Sequence, residues 1–104
     1  RRSTGGTMAK GYWIAQVTIT DLEIYEEYKA ANALAFAKFG GRFVVRGGTQ
    51  VTKEGSTHPR SVVIEFPNYE AALACYHSPE YQTALAIRHG ISEGNLVIIE
   101  GYDS

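Results

Sequence analysis

Arg46 and Glu65 combine the residue types and the predicted positions best suited to chemistry in this chain. Each lies in a short stretch of β-branched and aromatic residues, which predicts that both side chains extend from strands of one sheet. An arginine in an enclosed cavity can bind a carboxylate or an enolate, and a neighbouring carboxylate can act as a general base. Alternatively, the two side chains form a salt bridge that only satisfies both charges. The sequence alone leaves both interpretations open.

Four more residues are candidates for the same site. Tyr12 and Gln16 lie on the first predicted strand, where they could orient a ligand carbonyl or hydroxyl group or could be ordinary half-buried packing residues. His77 ends a predicted helix and could move a proton, although a histidine there also interacts favourably with the helix dipole. Arg88 could reach back to the helix corner at residues 76–81. We therefore predict Glu65 and His77 as catalytic residues, and Tyr12, Gln16, Arg46 and Arg88 as substrate-binding residues.

The sequence predicts no metal site and no bound cofactor. Its three histidines are His58, His77 and His89, and no two of them have the i, i+4 spacing of a helical metal site. Cys75 is the single cysteine, so the chain can form neither an intramolecular disulfide nor a cysteine metal cluster. The glycine pairs match neither a dinucleotide-binding nor a Walker pattern, which leaves no predicted nucleotide site.

The elements that must position these residues follow the order βαββαβ. Apolar and β-branched runs predict strands at 12–19, 42–46, 61–66 and 95–101. Apolar residues at helical spacing predict helices up to about residue 38, at 69–77, and from 79 until Gly90. Glycine pairs at 40–41 and 47–48 end the first helix and the second strand. This order predicts one ferredoxin-like α+β domain with an antiparallel sheet and with its helices on one face.

Alternation within the strands sorts the sheet residues into two faces. The face assigned beneath the helices is apolar and comprises Ala15, Val17, Ile19, Phe43, Val45, Val62, Ile64, Phe66, Val97 and Ile99. The opposite face mixes aliphatic and polar residues, namely Tyr12, Ile14, Gln16, Arg42, Val44, Arg46, Ser61, Val63, Glu65, Leu96, Ile98 and Glu100. A solvated sheet face is usually more polar than this. We therefore expect a second copy to stack on it and to enclose Arg46 near Glu65.

Composition and charge narrow the functional class. The 104 residues are enough for one domain, and 44% hydrophobic residues is ordinary for a globular protein. Residues 1–7 are expected to be an expression-tag remnant before a native start at Met8, with residues 8–104 as the domain. Eleven acidic and ten basic side chains give a formal net charge of −1, which disfavours binding to nucleic acid or to anionic membranes. No apolar run reaches the length of a membrane span and no secretory signal is visible, so we expect a cytoplasmic protein.

Four segments form a specific combination. They are Gly11-Tyr12-Trp13, the stretch Phe-Gly-Gly-Arg-Phe-Val-Val-Arg-Gly-Gly at 39–48, Val-Val-Ile-Glu-Phe-Pro at 62–67, and Tyr-His-Ser-Pro-Glu-Tyr-Gln at 76–82 followed by Arg88. With these motifs the chain resembles the domain of unknown function 1330 family, within the wider group of dimeric α+β barrels. The resemblance implies the fold and a homodimer. It implies no reaction, because the family's own reaction is undefined.

Two functional hypotheses remain. In the first, the protein is a small homodimeric enzyme that needs no cofactor and carries out proton transfer, isomerisation or monooxygenation on a small apolar carbonyl or carboxylate compound. Arg46 would bind the anion, Glu65 or His77 would move the proton, and Tyr12 and Gln16 would orient the substrate, in a cavity between sheet and helices or between protomers. In the alternative, the protein is a non-catalytic module that binds a small metabolite or a partner, and its enclosed charges are structural ion pairs.

Overall fold

The computed structural model describes residues 9–102, which form one antiparallel sheet and a layer of helices. The elements are β1 (Gly11–Ile19), α1 (Leu22–Phe39), β2 (Arg42–Arg46), β3 (Arg60–Phe66), α2 (Tyr69–His77), α3 (Pro79–Arg88) and β4 (Ser92–Glu100). The predicted α+β fold of ferredoxin-like βαββαβ order is confirmed, with the second helical segment divided into α2 and α3. The predicted tag remnant lies outside the described residues. No helix in the described part of the chain is long and apolar enough to cross a membrane.

Side-chain caps fix where the helices begin. Asp21 accepts a hydrogen bond from the backbone N–H of Ile24, and Asn68 accepts one from Ala71, so each satisfies a free donor in the first helical turn. Ser78 separates α2 from α3, because its hydroxyl donates to the Cys75 carbonyl and accepts from the Tyr81 N–H. Gly40 ends α1 with a φ of 78°, a left-handed conformation that glycine adopts without a steric penalty.

The sheet has the strand order β2-β3-β1-β4, and its register defines two faces. The inner face, which the helices cover, carries the rows Phe43–Ile64–Trp13–Ile98, Arg46–Val62–Ala15–Leu96 and Arg60–Val17–Gly94. The outer face carries the rows Arg42–Glu65–Tyr12–Ile99, Val45–Val63–Ile14–Val97 and Ser61–Gln16–Asn95. Polar rows therefore flank an aliphatic row on the outer face, whereas arginines occupy one side of an otherwise apolar inner face.

Trp13 is the centre of the core. Its ring is 2% exposed and packs edge-on against Phe36 of α1 and Tyr81 of α3, with centroid distances of 5.1 and 4.8 Å. The indole N–H donates a 2.9 Å hydrogen bond to the Ala72 carbonyl of α2. One side chain thus holds all three helices against the sheet. Cys75 is also buried, and its burial raises the pKa of the thiol to about 12, so the thiol stays protonated at neutral pH.

The face assignment was wrong for β4. Leu96 and Ile98 pack against the core, whereas Val97 and Ile99 lie on the outer face and are 50% and 47% exposed. Residues 96–99 are all aliphatic, so alternation cannot set the phase of this strand. Pairing with β1 sets it instead, because Trp13 lies opposite Ile98.

The face assignment was also wrong for the end of β2. A register shift lies between Phe43 and Val45, and beyond it Val45 is opposite Val63 and Arg46 is opposite Val62. An extra residue in one strand moves every later side chain to the other face. Val45 therefore lies on the outer face, and Arg46 lies beneath the helices.

Gly94 is required by the close approach of β4 to β1. A Cβ atom added there would overlap the backbone oxygen of Gln16 and lie 2.8 Å from the Cα of Val17. Gly48 makes a suitable comparison, because an added Cβ would have no atom within 4 Å and its φ is not positive.

We predict that Gly94→Ala lowers the free energy of unfolding by about 1–3 kcal/mol, since two backbones must separate to admit the methyl group. Gly48→Ala should change it by less than about 1 kcal/mol. Urea denaturation at one protein concentration measures both variants. Equal stabilities of the two variants would contradict the close approach.

Candidate functional site

A cavity of about 160 Å³ lies between α1, α3 and the inner face of the sheet. Its floor consists of Ala15, Val17, Val62, Gly94 and Leu96, and its helical walls include Tyr25, Tyr28, Lys29, Asn32, Phe36, Tyr81 and Arg88. The small residues Ala15 and Gly94 leave this space beside the bulky Trp13, which closes the cavity toward α2. An apolar enclosure with a few polar groups is typical of small-molecule sites.

The cavity is positively charged. Lys29, Arg46, Arg60 and Arg88 line it, and none of the described residues that line it is an aspartate or glutamate. Lys29 forms an ion pair with Glu26 at 2.9 Å. Among the described residues, the three arginines have no carboxylate within ion-pair distance. A cavity with uncompensated guanidinium groups favours an anionic ligand.

The arginine side chains lie against aromatic rings. The guanidinium carbon of Arg46 is 4.1 Å from the centroid of Phe43, that of Arg60 is 5.5 Å from Tyr25, and that of Arg88 is 5.3 Å from Tyr28. Cation–π contacts stabilise the charges without using the N–H donors. Among the described residues, Arg46 and Arg60 consequently keep N–H donors free to bind a ligand, whereas Arg88 donates to Tyr81 and Ser92.

Tyr28, Tyr81 and Arg88 form a hydrogen-bonded group that we call the tyrosine–arginine cluster. The two phenol oxygens are 2.8 Å apart, and Arg88 Nη2 lies 3.4 Å from the Tyr81 hydroxyl. Burial, followed by the neighbouring Tyr28, raises the pKa of Tyr81, so its phenol stays protonated. The cluster therefore presents hydrogen-bond donors, and the Tyr81 phenol is not a base at neutral pH.

Two buried polar atoms of residues that line the cavity have no hydrogen-bond partner among residues 9–102. Asn32 is 5% exposed and its Oδ1 accepts no hydrogen bond, and the Nε of Arg60 donates none. A buried polar group without a partner costs about 1–3 kcal/mol. Such atoms at the wall of a cavity indicate a site that a ligand can complete.

The predicted pairing of Arg46 with Glu65 was wrong. Glu65 lies on the outer face, where it accepts a 2.9 Å hydrogen bond from Arg42 Nε and a 3.1 Å bond from the Tyr12 hydroxyl. Arg42 lies opposite Glu65, and the register shift beyond Phe43 turns Arg46 into the cavity. Gln16 is also on the outer face and donates to Ser61 at 3.2 Å.

The other predicted site residues are divided between the cavity and the surface. Arg88 lines the cavity, as does Tyr76 at the helix corner. His77 is exposed and contacts only the edge of the Tyr76 ring among the aromatic groups, and it does not line the cavity. The catalytic roles of Glu65 and His77 stay predictions, and neither residue reaches the cavity.

Sequence reasoning missed Tyr28, Asn32 and Arg60 as site residues, whereas it gave Tyr81 as a corner aromatic that could rim a pocket between helix and sheet. Tyr28 and Asn32 are one turn apart on α1, and a polar asparagine on the buried side of a helix is a signal that could have been used. Arg60 continues the alternation of Val62 and Ile64 toward the helices.

The charges on the outer face are mutually satisfied. The hydrogen bond from Arg42, and then that from Tyr12, keeps the pKa of Glu65 below its usual value against the effect of burial. The hydrogen bond to Glu65 raises the pKa of Tyr12. Among the described residues, no group of three His, Cys, Asp or Glu side chains could hold a metal ion.

Comparison with known protein families assigns the chain. The model of a domain of unknown function, DUF1330, matches residues 10–102. The chain belongs to the DUF1330 family. A comparison with curated proteins finds no match.

Solved structures with the same fold come from several bacteria. A protein of unknown function from Rhodopseudomonas palustris has a TM-score of 0.75 and 16% identity over 94% of this chain and 86% of that chain. SnoaB, a cofactor-independent oxygenase from Streptomyces nogalater, has a TM-score of 0.61 and 14% identity over 92% and 96% of the two chains. A dimeric ferredoxin-like protein of unknown function from Thermobifida fusca has a TM-score of 0.61 and 15% identity over 96% and 98%. At these identities the likeness shows the fold alone.

We predict that Glu65 contributes stability that is lost in acid. Its pKa is lowered in the folded state, so the contribution is fully present above the unfolded value of about 4.3 and disappears as the pH falls through the folded value. Unfolding free energies of the wild type and Glu65→Gln, measured from pH 7 to pH 3, should therefore converge in acid. Adding Arg42→Gln to Glu65→Gln should leave the pH dependence of the Glu65→Gln stability unchanged. A stability difference between the wild type and Glu65→Gln that stays constant from pH 7 to pH 3 would refute the assignment.

Proposed function

We propose that this DUF1330 protein is a small enzyme. Its cavity binds an anionic, largely apolar molecule and stabilises an oxyanion that forms on that molecule. The reaction class is proton transfer, isomerisation or monooxygenation of an enolate or a phenolate. The observation that carries the proposal is the tyrosine–arginine cluster, in which two neutral phenols and one guanidinium group meet at a cavity without carboxylates.

Donors fixed in an apolar cavity are well suited to stabilising developing negative charge. Tyr28 and Tyr81 are held in place by their mutual hydrogen bond, so they need no reorganisation when an oxygen atom becomes charged. Arg88 supplies a positive charge beside them. A nearby cation and the one phenol hydrogen that the Tyr28–Tyr81 bond does not use lower the pKa of a bound enol or phenol, because they interact more strongly with its anion.

The substrate must be acidic enough to lose its proton without a protein base. No aspartate, glutamate or histidine is among the residues that line the cavity, so the proton would leave to water instead of to a side chain. Phenols, enols and 1,3-dicarbonyl compounds ionise readily when their anions are stabilised. The cavity favours compounds of these classes over simple ketones.

The fold of SnoaB, described as a cofactor-independent oxygenase, keeps oxygenation among the candidate reactions. In that case the stabilised carbanion would give its electrons to dioxygen. One oxygen atom would enter the substrate as a carbonyl group, and the other would leave as water with the two hydrogens of the original methylene group. The substrate supplies all the electrons, and oxygen is the oxidant.

A non-catalytic binding protein is the second candidate. The partnerless Asn32 Oδ1 and Arg60 Nε favour ligand binding of some kind and do not by themselves require a reaction. Consumption of dioxygen, or exchange of substrate C–H for deuterium, would separate an enzyme from a binder.

The test uses 4-nitrophenol, whose yellow phenolate reports its own ionisation. Wild-type protein should bind the phenolate and lower the pKa of the bound dye. Tyr81→Phe and Tyr28→Phe should each weaken phenolate binding about 10-fold, the effect of removing one hydrogen bond to a charged group. Absorbance titrations at several pH values measure both quantities.

Lys38→Gln is the matched control for this dye experiment. It removes one positive charge from the surface, where Lys38 contacts Glu80 and lies outside the cavity. Its dye affinity should equal that of the wild type. Unchanged dye affinity in both tyrosine variants would refute the proposal. A loss of dye affinity in Lys38→Gln as large as that in the tyrosine variants would also refute it.

We further propose that two copies pair through their outer sheet faces. The aliphatic row Val45–Val63–Ile14–Val97 crosses all four strands, and Ile14 and Val97 are 43% and 50% exposed. Contiguous exposed aliphatic residues of this kind mark an interaction surface. Stacked sheets about 10 Å apart would bury this row. The polar rows beside it would then surround the apolar centre.

The double variant Ile14→Asp/Val97→Asp should be monomeric, because each copy would bring buried unpaired charges to the interface. Leu34→Asp, on an exposed position of α1 that is 69% accessible, should stay dimeric. Sedimentation equilibrium measures the association state. Dimers of the double variant would show that another surface mediates pairing.

A further inference from the structure

The cationic groups of the cavity form two separate poles. The first pole is Arg46 on β2 and Arg60 on β3, where a Cβ atom on Gly47 would overlap the Arg60 guanidinium group. The second pole is the tyrosine–arginine cluster. Its Arg88 also contacts the start of β4, where Nη1 lies 3.4 Å from the Ser92 hydroxyl. Arg60 packs on the ring of Tyr25 and Arg88 on the ring of Tyr28, and the centroids of these two rings are 5.4 Å apart, so the two poles lie on separate rings.

The two poles differ in chemistry. Arg46 and Arg60 present two planar guanidinium groups, and the Nε of Arg60 has no partner. Guanidinium groups bind carboxylates through two parallel hydrogen bonds. The second pole instead gathers two phenols and one guanidinium group around the Tyr81 hydroxyl, which is an arrangement suited to a single oxygen atom.

The space between the poles fits one ring. A cavity of about 160 Å³ is close in volume to the ~150 Å³ apolar cavity known from another protein to hold benzene. The floor between the poles is formed by the apolar residues Ala15, Val62 and Leu96. Asn32 also lines the cavity, and its Oδ1 has no hydrogen-bond partner among the described residues.

We propose that the substrate carries two acidic groups at opposite ends of one flat ring or of a conjugated chain of similar length. A carboxylate binds Arg46 and Arg60, and an ionisable hydroxyl or enolisable carbonyl oxygen binds the tyrosine–arginine cluster. The assignment rests on the proposed function, since it uses the same cavity, and it names the substrate class: hydroxyaryl or enol carboxylates.

The experiment compares 4-hydroxybenzoate, 2-hydroxybenzoate, benzoate and phenol by isothermal titration calorimetry on the wild-type protein. The 4-isomer should bind at least 10-fold more tightly than benzoate or phenol, because it reaches both poles. The 2-isomer has the same two groups side by side and should bind no more tightly than benzoate. This comparison needs no variant, so it does not depend on how well any substitution folds.

Variants then assign each pole. Arg60→Gln should reduce the affinity for 4-hydroxybenzoate to that for phenol and leave phenol binding unchanged. Tyr81→Phe should weaken phenol and 4-hydroxybenzoate equally and leave benzoate unchanged. Arg46→Gln repeats the first test at the same pole, circular dichroism establishes that each variant is folded, and Lys38→Gln should behave as wild type.

The outcomes separate the two proposals. If none of the four compounds binds, both the proposed function and the two-pole assignment are overturned. If benzoate and phenol bind but the 4-isomer gains nothing over them, or the 2-isomer binds as tightly as the 4-isomer, the two-pole assignment alone is overturned. A gain for the 4-isomer that survives Arg60→Gln and Arg46→Gln would likewise remove the carboxylate pole.

Discussion

The packing of Trp13 is the contact on which the rest of the structure depends. Its ring lies between the sheet and the helices, touches Phe36 and Tyr81, and hydrogen-bonds to α2 through the Ala72 carbonyl. Burial of so large a side chain is among the strongest local contributions to stability. It also sets the distance between the layers. The neighbouring Ala15 is too small to fill the space between the layers, and the space left above it is the cavity.

A single irregularity in β2 separates the charges of the two sheet faces. Without the register shift between Phe43 and Val45, Arg46 would share the outer face with Arg42 and Glu65. With it, the outer face has a satisfied cluster, in which Glu65 accepts from Arg42 and Tyr12. The inner face receives a guanidinium group that no carboxylate among the described residues neutralises. Bulges commonly redirect one side chain in this way, and here the redirected residue is cationic.

The contrast between these two sets of charges distinguishes structure from function. Arg42 and Glu65 neutralise each other, whereas Arg46, Arg60 and Arg88 rest on aromatic rings and form no ion pair with a described carboxylate. Guanidinium groups that pack on rings and form no ion pair with a carboxylate can bind an anionic ligand. The family and the solved structures establish the fold without a reaction, so the chemistry must be argued from this cavity.

The sequence by itself determined the order of elements, most of their bounds, the glycine that ends α1 and the caps of α2 and α3. These depend on local interactions, such as Asn68 capping α2 and Gly40 ending α1, which neighbouring residues specify. The tertiary structure alone decided which side chains meet. The four aliphatic residues at 96–99 have no alternation, so only pairing with Trp13 fixes their phase, and only the shift in β2 sends Arg46 to the cavity. Tyr28 and Tyr81 are 53 residues apart in the chain, and no local pattern could predict their hydrogen bond, because it exists only when α1 and α3 pack on one sheet.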